Sequence, residues 1–226
     1  LEFYEAYSDY EAMMALTEEL LTQLAKTLLG TLEIPFGERT ISLERPWPRV
    51  KFKDALVRYS GLPAARLEDR DGLAAYANEL APDKAPLSYG KALDVLFDKF
   101  VKHNLVQPTF VVNPPREISP LAKASRSDPD EAERFELIVA GMEIANAFSE
   151  LTDPAEQKAR FEQQAEERRR GDDEAHVIDG DYVQALEYGL PPTGGEGIGI
   201  DRLVMLLANK KSIREVILFP LLRPRE

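Results

Sequence analysis

The chain has 226 residues, a net charge of −12 at neutral pH, no cysteine and two histidines, His103 and His176. Absent cysteine rules out a disulfide framework and a thiolate metal site, and so few histidines leave carboxylates, arginines and backbone groups to carry any chemistry. The excess of acid argues against a surface devoted to nucleic acid and suits a pocket for a cationic substrate; no apolar run is long enough to span a bilayer, and a cytoplasmic location is expected.

Residues 1–7 are rich in aromatics and predict a strand already under way at the first residue, with Glu2, Tyr4 and Ala6 on one face. With no initiator methionine, the chain reads as a piece of something longer. Asp9 predicts the cap of a helix through Leu29, with Met13, Leu16, Leu20, Leu24 and Leu28 as its apolar stripe and Gly30 as its stop. Leu32 to Phe36 and Arg39 to Leu43 flank Gly37-Glu38 as a hairpin, Pro46-Trp47-Pro48 breaks the pattern, and Phe52 to Tyr59 reads as a short helix stopped by Gly61. From about 61 to 104 the chain is helical and polar, with Leu93, Leu96, Phe97, Phe100 and Val101 on one stripe, and reads as a helical insertion into a sheet domain.

Sheet character returns at Pro108 to Val112, followed by two strands, Phe135 to Ala140 and Glu143 to Leu151, around Gly141. Asp153-Pro154 starts a charged helix through about Arg170, where Arg168-Arg169-Arg170 is expected as a solvated end. His103 is expected at the surface, and His176 sits among acids with no set of ligand partners. Asp181 to Tyr188 predicts a further helix ended by Gly189.

Two stretches carry chemistry. Gly194, Gly195, Gly197 and Gly199 leave backbone open to a ligand, and the apolar spacing of Ile200 to Ala208 puts Arg202 in the first turn of a helix. A fixed guanidinium beside a helix N-terminus suits an anionic phosphate, although a sharp turn before a core helix has the same composition. In the second stretch Asn146, Phe148 and Glu150 alternate onto one strand face, where an amide, a ring and a carboxylate make a poor core layer. They form either a wall for an amino acid with a cationic side chain or a solvated sheet face.

Glu136 and Glu143 flank the turn at Gly141, and hard oxygen ligands of this kind suit magnesium held jointly with substrate phosphates. In an unbroken strand Glu143 lies opposite Asn146, so this reading requires a bulge; two solvated hairpin carboxylates are the alternative. Glu2 and Tyr4 share a face that binds an ammonium group or simply packs, and the turn Ser119 to Lys123, preceded by Glu117, either lines the same cleft or lies on the surface.

Taken together, Glu2-Phe-Tyr4-Glu-Ala-Tyr-Ser-Asp-Tyr10, Glu117-Ile-Ser-Pro-Leu-Ala-Lys123, Arg134-Phe-Glu136, Glu143-Ile-Ala-Asn146-Ala-Phe148-Ser-Glu150 and Gly194-Gly-Glu-Gly-Ile-Gly-Ile-Asp-Arg202 resemble the C-terminal catalytic portion of the lysyl-tRNA synthetases, which are class II aminoacyl-tRNA synthetases. The resemblance runs through nearly all of residues 1–226, weakest in the helical insertion, with the last motif similar to class II motif 3 and the first to the closing strand of motif 2. It implies an α+β fold, an antiparallel sheet flanked by helices, and a two-step reaction in which lysine and ATP give lysyl-adenylate and pyrophosphate before transfer to tRNA(Lys). It further implies that Arg202, with Gly199, holds ATP; that Glu136 and Glu143 bind Mg2+; and that Glu2, Tyr4 and Glu150 recognise the lysine ammonium groups. Asn146 would orient the carboxylate, Phe148 would pack on the substrate, and Gly195 and Gly197 would form the pocket floor. A homodimer is implied for the full-length protein.

The chain departs from that pattern in several places. The family's motif 1, the first half of motif 2 with its phosphate-gripping arginine, and the anticodon-reading barrel have no counterpart in residues 1–226, so this portion alone is expected to be inactive or nearly so. Glu196 replaces a usually apolar residue, and Pro114 stands where histidine or tyrosine is usual. Two other readings compete with a lysine-tRNA ligase. One is a paralogue that lysylates elongation factor P, whose pattern usually has histidine where Ser149 stands. The other is a non-catalytic module that binds ATP or a partner.

Overall fold

The computed structural model of the chain describes residues 1–84, 86–169, 175 and 177–220; Arg170 and His176 lie outside the described residues. In chain order the elements are β1 (Glu2–Ala6), α1 (Tyr10–Leu29), β2 (Glu33–Phe36), β3 (Arg39–Ser42), β4 (Arg49–Lys51), α2 (Phe52–Ser60), α3 (Ala64–Glu68), α4 (Arg70–Leu80) and α5 (Tyr89–Phe100). They continue with β5 (Thr109–Val112), β6 (Arg134–Val139), β7 (Met142–Ser149), α6 (Pro154–Arg169), α7 (Gly180–Glu187), β8 (Thr193–Ile198) and α8 (Ile200–Leu207). Local chemistry sets several boundaries. The Asp9 carboxylate accepts from the backbone N–H groups of Glu11 and Ala12 and so caps α1. The hairpin between β6 and β7 turns on Ala140 and Gly141, both with positive φ, the backbone that a tight two-residue turn demands.

Six strands pair in the order β1-β8-β7-β6-β5-β4, and β2-β3 form a separate hairpin. The sheet is antiparallel through β1, β8, β7, β6 and β5, as the family resemblance implied, and becomes mixed only at its edge, where β4 runs parallel to β5. The cause is topological: the chain leaves β4 through four helices and returns to the same sheet edge, and such a crossover delivers the next strand in the same direction. The three residues of β4 lie directly after a proline-rich break, too short and too irregular to be read as a strand.

One sheet face packs on α1 and α8 through Met13, Leu21, Phe110, Phe135, Leu137, Ala145, Ala147, Ile198 and Leu203. Each such large side chain contributes about 1.5–3 kcal/mol on burial. The inward stripe of α1 matches the expected line only in part: Met13 is buried and Leu20 and Leu24 pack partly against the core, but Met14, Thr17, Leu21 and Ala25 are buried while Leu16 and Leu28 are 38% and 64% exposed. Polar residues take inward positions where partners await them; Thr17 meets Glu196, and Glu18 accepts from the backbone N–H of Trp47 at 2.9 Å. On the other face, α2, α4 and α5 cover only the β5–β6 side, burying Leu56, Leu73, Leu93, Leu96, Phe97 and Val101 with Val111 and Ile138. Over β7, β8 and β1 that face carries glycines and polar groups, forming a trough.

Candidate active site

The trough is organised by cross-strand register. Pairing of β1 with β8, β8 with β7 and β7 with β6 places Glu2, Gly197, Asn146 and Glu136 in one row, and Tyr4, Gly195, Phe148 and Arg134 in the next. Side chains in a row project from one face because strand residues alternate. The glycine-rich segment is therefore strand β8 itself, lying centrally in the trough. Gly195 and Gly197 form its floor, Gly194 faces α1, and Gly199 precedes α8 as its N-cap.

At one end, a Cβ at Gly195 would lie 2.1 Å from Glu150 Oε1 and 2.9 Å from the Tyr4 ring, so the missing side chain is what lets carboxylate and phenol approach the strand. Glu150 is 6% exposed and its Oε1 has no hydrogen-bond partner among the described residues. Burial, reinforced by the nearby Glu2 charge, pushes its carboxyl up to about 7. Tyr4 donates its hydroxyl to Glu2 Oε1, a bond that with burial raises the phenol to about 12.

At the other end, β7 carries one extra residue opposite β6: Leu137 pairs with Ala145 but Ile138 pairs with Glu143, leaving Ile144 as a bulge. The bulge that the sequence required for Glu143 to join the trough face is present, and Glu143 and Glu136 share that face. Arg202, in the first turn of α8, donates from Nη1 to the Glu143 backbone oxygen at 2.9 Å and lies 3.8 Å from its carboxylate. Glu150 and Arg202 thus flank the same trough, separated by the length of β7. A cleft of ≈ 600 Å³ lined by Glu5, Tyr7, Ser8, Asp9, Ala12, Arg126 and Pro192 involves none of the expected residues.

Two groups were missed by sequence reasoning. Arg134, quoted within a motif but given no role, stands on β6 beside the trough and reaches Asn146 and Glu136; its place two residues before Glu136 was a usable signal. Lys102, just beyond α5, places its Nζ 2.6 Å from Asp98 and 4.0 Å from Glu136. No local pattern reveals it, since packing of α5 on the sheet brings it there. The turn after Glu117 does reach the site, because Ser119 Oγ accepts from Arg134 Nη1 at 3.1 Å.

A family model described as tRNA synthetases class II (D, K and N) matches residues 1–223. The chain belongs to that family. Among curated relatives it is similar to the lysine--tRNA ligase of Carboxydothermus hydrogenoformans, at 50% identity over all of this chain and 46% of that protein. It is likewise similar to those of Halalkalibacterium halodurans, at 49% over all of this chain and 45% of that protein, and of Aquifex aeolicus, at 49% over all of this chain and 38% of that protein. The chain therefore spans less than half the length of these relatives.

For a class II synthetase, the acidic end of the trough fits a magnesium ion in part. Among the described residues no group of three or more Asp, Glu or His side chains is arranged to hold a metal alone. Two carboxylates on one face match an ion that draws its remaining ligands from substrate phosphates and water. Glu136 is already engaged by Arg134 at 2.8 Å, and its burial raises its carboxyl despite that cation. Among the described residues no helix is long and apolar enough to cross a membrane.

Proposed function

We propose that this class II synthetase chain is the part of a lysine-tRNA ligase that binds lysine and ATP, and that in the intact protein lysine is adenylated there before its transfer to tRNA(Lys). The observation that carries the choice of amino acid is Glu150: a nearly buried carboxylate oxygen without a partner among the described residues, set against Gly195 and the Tyr4 ring. Leaving a carboxylate unpaired in such a place is unfavourable by several kcal/mol, on the order of the penalty for burying charge, and an ε-ammonium group removes that penalty. Glu2 and Tyr4 complete the cation-binding end, Phe148 supplies an apolar wall for the methylene chain, and Gly195 and Gly197 keep the floor low.

Asn146 then meets the substrate carboxylate, which attacks the α-phosphorus of ATP as pyrophosphate leaves; a terminal ribose hydroxyl of tRNA next attacks the carbonyl carbon and AMP departs. Arg202, with Gly199 at its helix start, holds the γ-phosphate. Glu136 and Glu143 would hold magnesium, which supplies charge neutralisation and alignment of the phosphates. No side chain need act as a nucleophile; positioning carries the rate. The similarity to lysine--tRNA ligases supports the substrate assignment, and the resemblance supports a homodimer in the cytosol for the intact protein.

The test is exchange of labelled pyrophosphate into ATP by the intact protein. Exchange is expected with lysine and magnesium together; equal exchange with aspartate or asparagine removes the lysine assignment.

A further inference from the structure

Arg134 makes an unusually complete set of contacts for a residue on a trough floor. Its Nε donates to Asn146 Oδ1 at 3.1 Å and its Nη2 to Glu136 Oε1 at 2.8 Å. Its Nη1 donates to the Ile118 backbone oxygen at 3.0 Å and to Ser119 Oγ at 3.1 Å. A guanidinium is a planar fork with donors only, so whatever faces Nε must be an acceptor. This settles a question an isolated amide leaves open. The Asn146 side chain must turn Oδ1 toward Arg134, and its Nδ2 hydrogens then point away from it. Next to Asn146 in the row is Gly197, where even an added Cβ would meet nothing closer than the Asn146 backbone oxygen at 3.9 Å. Among the described residues Nδ2 donates to no one, so an aimed donor faces open floor between the Glu150 end and the Arg202 end.

We propose that Arg134 is a positioning residue that sets the Asn146 amide as a donor toward the carboxylate of the bound amino acid. The same guanidinium fixes Glu136, so the groups that receive the substrate carboxylate and the phosphate-bound cation are held in register by one side chain. Without that fork, the Asn146 amide rotates freely and presents an oxygen to the carboxylate in part of the population. This inference rests on the lysine reading of the site. It goes beyond that reading in assigning the polarity of the amide to a residue that touches no substrate.

The test compares binding of lysine, lysinamide and norleucine to the intact protein by calorimetry, with Arg134→Lys as the first variant because it keeps a cation beside Glu136. Lysine over lysinamide reports the carboxylate end; lysine over norleucine reports the Glu150 end. In Arg134→Lys the first ratio is expected to fall by about tenfold, on the scale of one charge-assisted hydrogen bond, while the second stays unchanged. A general loosening of the structure would lower both. Asn146→Asp, on the half-exposed floor, keeps an acceptor for Arg134 but replaces the aimed donor with an oxygen, and is expected to reverse the first ratio in favour of lysinamide. If the unsubstituted protein does not prefer lysine over norleucine, the lysine reading fails. If it does and Arg134→Lys keeps the full preference for lysine over lysinamide, the inference is overturned. Should Arg134→Lys not fold, Asn146→Asp decides: a retained preference for lysine overturns the inference, and a reversed one upholds it.

Discussion

Glu196 lies on the back of β8, paired with Phe3 and Ala147 and facing α1, with 2% of its surface exposed. Thr17 Oγ1 is 2.6 Å from both the Met13 backbone oxygen and Glu196 Oε1, yet a threonine hydroxyl carries one hydrogen. That one hydrogen, shared between two acceptors, compensates Glu196 Oε1 only weakly, and the buried Oε2 has no hydrogen-bond partner among the described residues. Burial is the main cause that raises this carboxyl from its ordinary 4.5 to about 7, against a smaller lowering by the Thr17 contact. The folded chain therefore keeps this proton where the unfolded chain loses it, and stability falls as pH rises from about 4.5 to about 7. Roughly 2.5 pH units at about 1.36 kcal/mol each make the loss about 3 kcal/mol at pH 8 and about 1 kcal/mol at pH 5. Glu196→Gln removes the titration while keeping the shape. Relative to the parent it is expected to be more stable by about 2–3 kcal/mol at pH 8, after about 1 kcal/mol for an amide hydrogen left unpaired, and by little or nothing at pH 5. Urea unfolding at pH 5, 6, 7 and 8 measures both. A variant no more stable than the parent at pH 8, or a difference independent of pH, would refute the reasoning.

Three further outcomes follow from the geometry. Gly195→Ala is expected to lower lysine affinity by roughly a hundredfold or more, because its Cβ would fall 2.1 Å from Glu150 Oε1, while the helical content stays that of the parent; calorimetry with circular dichroism separates the two. Lysine affinity is expected to fall about tenfold per unit as pH drops below about 7, since the buried Glu150 must lose its proton to receive the ammonium; a titration series in which Glu150→Gln shows the same slope removes Glu150 as the cause. Phe97→Ala breaks a ring stack with Phe52 at 4.6 Å within the core shared by α2, α5 and the sheet, and is expected to destabilise the whole chain by about 3–5 kcal/mol in a single unfolding transition.

Much of the architecture is local and hence legible. The Asp9 cap, the glycine stop at Gly30, the Gly141 turn and the alternation of Asn146, Phe148 and Glu150 depend on backbone preferences and side-chain spacing within a few residues. The expected leucine stripe of α1 misled in part because hydrophobicity does not register that Thr17 and Glu18 have buried partners at Glu196 and Trp47. Strand β4 escaped notice because three residues after a proline-rich break carry no periodicity, and their parallel pairing is a property of the crossover.

The sequence by itself determined which groups are available: a chain without cysteine, strand faces bearing carboxylates, and a glycine-rich segment ahead of an arginine-bearing helix. Only the tertiary structure decided how they meet. Cross-strand register between segments nearly two hundred residues apart sets Tyr4 against Gly195, and the Ile144 bulge turns Glu143 onto the face of Asn146. Packing of α5 delivers Lys102 to Glu136, and strand pairing brings Arg134 within hydrogen-bond reach of an amide twelve residues away in the chain. The physical reason is that alternation and capping are fixed by neighbours in sequence, whereas register, bulge and helix docking are selected by the free energy of the assembled core.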